Sequence, residues 1–175
     1  MTGLKRLLVI LISVSVMAFL QMIILPNVEF LIALPNLLLV IVMASGFLYG
    51  KAYGLFVGAF TGLLIDVLGT GTPGFNTLIL MWIGFGDGFL SEKMESEIIP
   101  VLYLILFVNE ILYHLYLFGL GFLVGNRFSL LPYLTDVLIP EILLTLLVFL
   151  PIYGLLLFVS KRWDLKINKG EVRVV

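Results

Sequence analysis

Between Glu29 and Asp66 the chain carries a single charge, Lys51. A helix drawn straight through residues 34–69 would be about 53 Å long, against a hydrocarbon core of ~30 Å. The stretch is too apolar for water and too long for one crossing, so it must fold back on itself. The break belongs at Gly50-Lys51. Glycine recurs there at every fourth position, Gly46, Gly50, Gly54, Gly58 and Gly62, and the ladder ends on Asp66. In water each interior glycine would cost a helix roughly 1 kcal/mol against alanine. In a bilayer the backbone must pair within its own segment, which makes helix nearly obligatory. Small residues four apart then let a second helix approach closely. Gly46 and Gly50 are expected to close the first helix of this hairpin, and Gly54, Gly58 and Gly62 to line the second. For the glycines, packing is the plain reading. Asp66 differs, because an ionisable group inside an apolar span is a functional-site candidate by default. The alternative is that it lies near the outer headgroups.

The rest of the chain points the same way. Of 175 residues 62% are hydrophobic, mean hydropathy is +1.21, and ordinary soluble domains hold about 45–50% apolar residues. This is the composition of an integral membrane protein. A net charge of −1 offers no basic field for nucleic acid. The absence of cysteine excludes disulfides, thiolate metal sites and a cysteine nucleophile. Lys5-Arg6 followed by an apolar run resembles a signal peptide. The run to Leu25 is too long for an h-region of ~7–15 residues, and no small-x-small cleavage site follows. It is expected to be a transmembrane helix.

Six apolar segments near the ~20 residues of a span can be placed. They cover residues 7–25, 34–50, 52–69, 75–90, 98–124 and 136–160. The fold expected is an all-α integral membrane protein, one domain of six transmembrane helices in a compact bundle. Residues 69–74 form an uncharged turn, 91–97 a charged loop, 125–135 the longest connection and 161–175 a polar tail. With six spans, Lys5, Arg6, Lys51, Lys93, Lys161, Arg162, Lys166, Lys169 and Arg173 share the terminal side, and Arg127 alone lies opposite. By the positive-inside rule both termini, and the tail, are cytoplasmic. Trp163 suits an inner-interface anchor. Loops this short leave no room for an extramembrane catalytic domain.

Chemistry is sparse. Gly84-Phe85-Gly86-Asp87 matches the GxGD pattern of aspartyl intramembrane proteases, with Asp66 as the only partner carboxylate. Asp87 is expected at the inner end of its helix, about 18 Å below the start. Two carboxylates sharing a proton must stand ~3 Å apart, so proteolysis is rejected. One histidine and no G-x-S-x-G leave no serine-type set. Glu110 and His114 are i, i+4 and share a helix face. Two ligands without a third make no zinc site, so an ion pair or hydrogen bond inside the bundle is expected, and no metal or cofactor. By depth Asp66, Glu110, His114, Asp136 and Glu141 fall in the outer half, as a polar cluster or a small outward pocket. Glu141, behind Pro140, also suits the first turns of helix six, where a carboxylate complements the dipole. Pro140 and Pro151 are expected to bend that helix or free carbonyls. Asp66 needs a partner, with His114 and the amides of residues 70–74 as candidates. Asp66→Asn is expected to keep most of its hydrogen bonds.

The run Leu34-Pro35-Asn36-Leu-Leu-Leu-Val40, with Gly50, Gly54, Gly58-Ala-Phe-Thr-Gly62-Leu-Leu-Ile-Asp66 and Gly74, resembles the MreD family of bacterial rod-shape-determining membrane proteins. Pro35, Asn36, Asp66 and Gly74 carry the family motif. Asn36 stands where the family commonly has Asp, and Ala59-Phe60 shifts an aromatic by one place. The likeness is sharpest over residues 35–74. It implies a fold similar to the substrate-binding (S) component of energy-coupling-factor transporters and a location in the bacterial cytoplasmic (inner) membrane. It implies a non-enzymatic scaffold of the cell-elongation machinery, or elongasome, that binds MreC and supports rod shape and peptidoglycan synthesis. Through MreC the wider complex includes RodA, a class B penicillin-binding protein and MreB. The rival expectation is a small-solute-binding subunit of an energy-coupling-factor-type transporter. A solute site would gather polar and aromatic side chains around a cavity. A scaffold would fill that space and leave apolar stripes outside.

Overall fold

The computed structural model describes residues 2–28, 33–69, 73–94, 99–123 and 132–167. Residues 70–72, 95–97 and 125–131 of the expected loops, Arg127 among them, and the tail beyond 167 lie outside the described residues. So do the side chains of Lys5, Arg6, Lys161, Arg162, Trp163 and Lys166. The described residues are almost all helical and include no strand, with six α-helices: α1 Thr2–Phe19, α2 Leu37–Tyr49, α3 Lys51–Leu68, α4 Phe75–Ser91, α5 Ile99–Leu123 and α6 Ile139–Ile167. Four stretches, Leu7–Asn27, Lys51–Leu68, Ile99–Gly119 and Tyr133–Val159, are long and apolar enough to cross a bilayer. α2, at 13 residues, is shorter than the expected 34–50, whereas α4, at 17 residues, matches the expected 75–90 to within one residue.

The helix ladder departs from i→i−4 ahead of two prolines. A π turn, Leu20–Ile24, precedes Pro26, and another, Tyr133–Leu138, precedes Pro140. Leu25 N–H donates to the Leu20 carbonyl and Ile139 N–H to that of Leu134, five residues back in each case. Proline has no N–H to continue the regular ladder, and a wider turn just upstream re-pairs the neighbouring groups. α6 runs through Pro151 as helix, leaving the Leu147 carbonyl without that donor.

α2 is the axis of the bundle. Every residue from Leu37 to Phe47 is buried, and its sequence has no polar face, the mark of a helix enclosed on all sides. It begins at Leu37, three residues later than expected, so Pro35 precedes the cap instead of lying in the first turn. Asn36 is the N-cap, and its Oδ1 accepts from Leu39 N–H at 3.1 Å. Gln21, from the π turn of α1, accepts from Leu38 N–H at 2.9 Å. Two amides that an enclosed helix end would otherwise orphan are thereby satisfied.

α2 turns into α3 at Gly50, which has φ +87°, a conformation that favours glycine. Gly54, Gly58 and Gly62 then face α4. A methyl at Gly54 would strike the Gly84 carbonyl, one at Gly58 the Leu80 carbonyl, and one at Gly62 the backbone of Asn76 and Thr77. The fit is reciprocal, since a methyl at Gly84 would strike the Gly54 carbonyl and one at Gly88 the backbone of Lys51. Gly46 abuts Gly84 and Gly88, so α2, α3 and α4 meet backbone to backbone at one level. Across the same end of the hairpin Lys51 Nζ donates to Glu92 Oε2 at 2.9 Å. That hydrogen bond holds the exposed Glu92 carboxyl below its ordinary range.

α1, α5 and α6 pack around this three-helix centre with their apolar outer faces open. The exposed residues include Leu8, Ile12, Val16 and Phe19 on α1, Leu104, Ile111 and Leu115 on α5, and Leu143, Leu147 and Phe158 on α6.

Candidate functional site

Three carboxylates, Asp66, Asp87 and Glu110, are buried among the described residues, and each has a different environment. Asp66 ends the glycine face of α3, so its side chain points at the start of α4. Its Oδ2 accepts from Gly74 N–H at 2.9 Å, Thr77 N–H at 3.0 Å and Thr77 Oγ1 at 2.6 Å. Its Oδ1 accepts from Asn76 N–H at 3.1 Å and Asn76 Nδ2 at 3.0 Å. Asp66 therefore caps α4 from a neighbouring helix, placing a negative group where orphan amides and the helix dipole favour it. Gly74, with φ +91°, occupies the N-cap position and turns its amide toward the carboxylate. A methyl there would meet nothing within 4 Å, so backbone conformation, not space, favours glycine. Of the expected partners His114 does not bond Asp66, and among residues 70–74 Gly74 does. Asn76 and Thr77 were not anticipated. The network continues to α5, where Tyr113 Oη donates to Asn76 Oδ1 at 2.9 Å.

Asp87, four residues from the end of α4, is buried between helices. Its two oxygens share Asn109 Nδ2, at 3.0 and 2.9 Å. Asp66 bonds the first turn of α4 at Thr77, and Asp87 lies ten residues further on, about 15 Å along the axis. Each carboxylate has its own partners.

The third group joins α5 to α6. Glu110 and His114 lie one turn apart on α5, and Glu141 approaches from the first turn of α6. His114 Nε2 stands 3.5 Å from Glu110 Oε2 and 3.5 Å from Glu141 Oε2. One ligand atom from each of the three residues lies within 4.8 Å of the other two. Nδ1 on the far side of the ring shares a 2.8 Å hydrogen bond with Tyr133 Oη, from the π turn. Glu110 is fully buried, and among the described residues neither of its oxygens, nor His114 Nε2, makes a hydrogen bond. The third ligand missing from the sequence reading is thus Glu141. Asp136, expected in the same cluster, is exposed and bonded to Thr135 Oγ1 at 2.8 Å.

The motif residues at the head of α2 touch the same region. Asn36 N–H donates to Thr145 Oγ1 at 2.9 Å, and Thr145 Oγ1 donates to the Glu141 carbonyl at 2.8 Å. The α2 cap is therefore tied to the turn of α6 that carries Glu141. Comparison with protein-family models, curated proteins and solved structures finds no match for this chain.

Proposed function

We propose that this chain is a non-enzymatic scaffold of MreD type, binding MreC within the bacterial elongation machinery. One observation carries the reading. The residues of the family resemblance are spent on holding α2, α3 and α4 together: the ladder on backbone contact, Asp66 and Gly74 on the α4 cap, Asn36 on the α2 cap. α2 is enclosed by side chains, and the apolar stripes lie outside on α1, α5 and α6. That is the distribution expected of a scaffold more than of a solute-binding subunit.

In this reading α2 and α4, about 20 and 26 Å long, complete six spans with their flanking turns, in an arrangement similar to the S component of energy-coupling-factor transporters. The charge split of the sequence puts both termini in the cytoplasm, and the membrane is the bacterial inner membrane. RodA, its class B penicillin-binding partner and MreB join through MreC.

The test is co-expression with MreC and purification of the intact membrane complex, with complementation of rod shape in cells lacking the native copy. A stable MreC complex and restored rods are expected. A well-folded chain that neither retains MreC nor restores shape would refute the reading.

A further inference from the structure

We propose that Glu110, His114 and Glu141 bind one divalent cation of the zinc class, which clips α5 to α6. Distance makes the first argument. A charge-assisted N–H···O⁻ bond is about 2.7–2.9 Å long, and both Nε2–carboxylate separations are 3.5 Å. Zinc holds imidazole nitrogen and carboxylate oxygen at ~2.0–2.2 Å, so two ligands of a tetrahedral ion stand about 3.4 Å apart. The two Nε2–carboxylate separations match a coordination edge, and the two carboxylates, within 4.8 Å of each other, would draw together on the ion.

Unsatisfied atoms make the second. Glu110 Oε1 and Oε2 and His114 Nε2 are buried and without hydrogen-bond partners, in residues 0% and 4% exposed. Groups of this kind are costly in an apolar interior unless paired or bound to metal. Two carboxylates and a neutral imidazole carry −2, which one divalent ion cancels. The imidazole is also oriented for the task. With Nδ1–H donated to Tyr133 Oη, Nε2 presents its lone pair to the gap between the carboxylates, the outer-shell arrangement usual for ligating histidine.

The donor set of one nitrogen and two oxygens selects the class of ion. It lacks the thiolates that favour Cu(I) and the all-oxygen shell of Mg²⁺ or Ca²⁺, and imidazole suits Zn²⁺ and its first-row neighbours. Three protein ligands leave the fourth position to water. The proposal does not depend on the scaffold reading.

The experiment uses the full chain in detergent, stripped with EDTA, exchanged into buffered Zn²⁺ and assayed for metal by mass spectrometry. About one zinc per chain is expected, with a raised melting temperature. Glu141→Gln should weaken binding by about tenfold or more, and Asp136→Asn, on the neighbouring exposed carboxylate, should leave it unchanged. Co²⁺ loaded in place of Zn²⁺ should give the visible bands of a four- or five-coordinate site. No stoichiometric binding at about 100 µM free Zn²⁺, equal binding in wild type and Glu141→Gln, or a Co²⁺ spectrum like that of the free aqua ion would each overturn the proposal. The first of these outcomes would assign the cluster to an imidazolium held between two carboxylates. If Glu141→Gln fails to fold, the wild-type stoichiometry and Co²⁺ spectrum decide.

Discussion

Asp66→Asn is not a conservative change here. The carboxylate accepts five hydrogen bonds, three on Oδ2 and two on Oδ1. An amide keeps one acceptor oxygen, and its NH₂ must face the donors of the other. The less costly orientation puts NH₂ where Oδ1 was, against Asn76 N–H and Nδ2. The Asn76 side chain can flip to answer, with Tyr113 Oη then accepting from its Nδ2, but the Asn76 backbone N–H cannot. At least one amide is orphaned, at about 1–3 kcal/mol. The three bonds retained on the other oxygen lose their charge, falling from about 1.5–3 toward about 0.5–1.5 kcal/mol each. Asp66 is 7% exposed, and water near the turn recovers part of this. The expected loss is about 3 kcal/mol in equilibrium unfolding in mixed micelles, with faster hydrogen exchange at the amides of Gly74, Asn76 and Thr77. Three of the five hydrogen bonds survive, as expected from the sequence, but the orphaned amide and the lost charge still carry a cost. A loss under about 0.5 kcal/mol with unchanged exchange at those amides would refute the capping role.

Gly54→Ala and Gly84→Ala, which drive a methyl into opposing backbone, should each destabilise by about 2 kcal/mol or more in the same assay. Gly86→Ala, with nothing within 4 Å, should be neutral or stabilising by up to about 1 kcal/mol. Asn109→Leu removes the hydrogen-bond partner of buried Asp87 and should cost about 2 kcal/mol or more, recovered in part by adding Asp87→Leu. In sealed cells a cysteine at Thr72 or Ser129 should react with an impermeant thiol reagent and one at Ser96 should not; labelling at 96 would overturn the orientation.

How much of this was legible depended on whether a signal was local. The Gly50-Lys51 break could be read, because a lone charge and a glycine interrupt an apolar run too long for one span. Six helical segments could be read from hydropathy, although α2 proved short. The ladder showed that some helix must come close. It did not show that α4 was the partner, although Gly84 and Gly88 repeat the four-residue spacing. Gly84 was read against a protease-like motif instead, and Gly88 was not singled out. The burial of Asp87 could not be read, because its amide partner sits on another helix. Glu141 looked like a dipole complement because its approach to His114 is created only by the packing of α6 against α5. Pairings between helices leave no periodicity in the chain.

α5 shows why those pairings carry so much of the architecture. Its buried face runs Leu102, Ile105, Leu106, then Asn109, Glu110, Tyr113, His114. The spacing is a continuous helical seam, but its chemistry changes from apolar to polar halfway along. In lipid no hydrophobic gain separates a leucine facing a helix from one facing a tail, so apolar contact alone holds register weakly. α3 and α4 solve this with glycines, whose backbones interlock at one depth. Among the residues of α5 whose burial is described, no buried one is a glycine. Its depth and rotation are set by Asn109 on Asp87, Tyr113 on Asn76, and Glu110 and His114 toward α6, three contacts to two different helices. Sliding α5 by one turn would break them together, leaving Asp87 without Asn109 and parting Glu110 and His114 from Glu141. The cost of that error, several kcal/mol for each stranded carboxylate, is what makes this position of α5 unique.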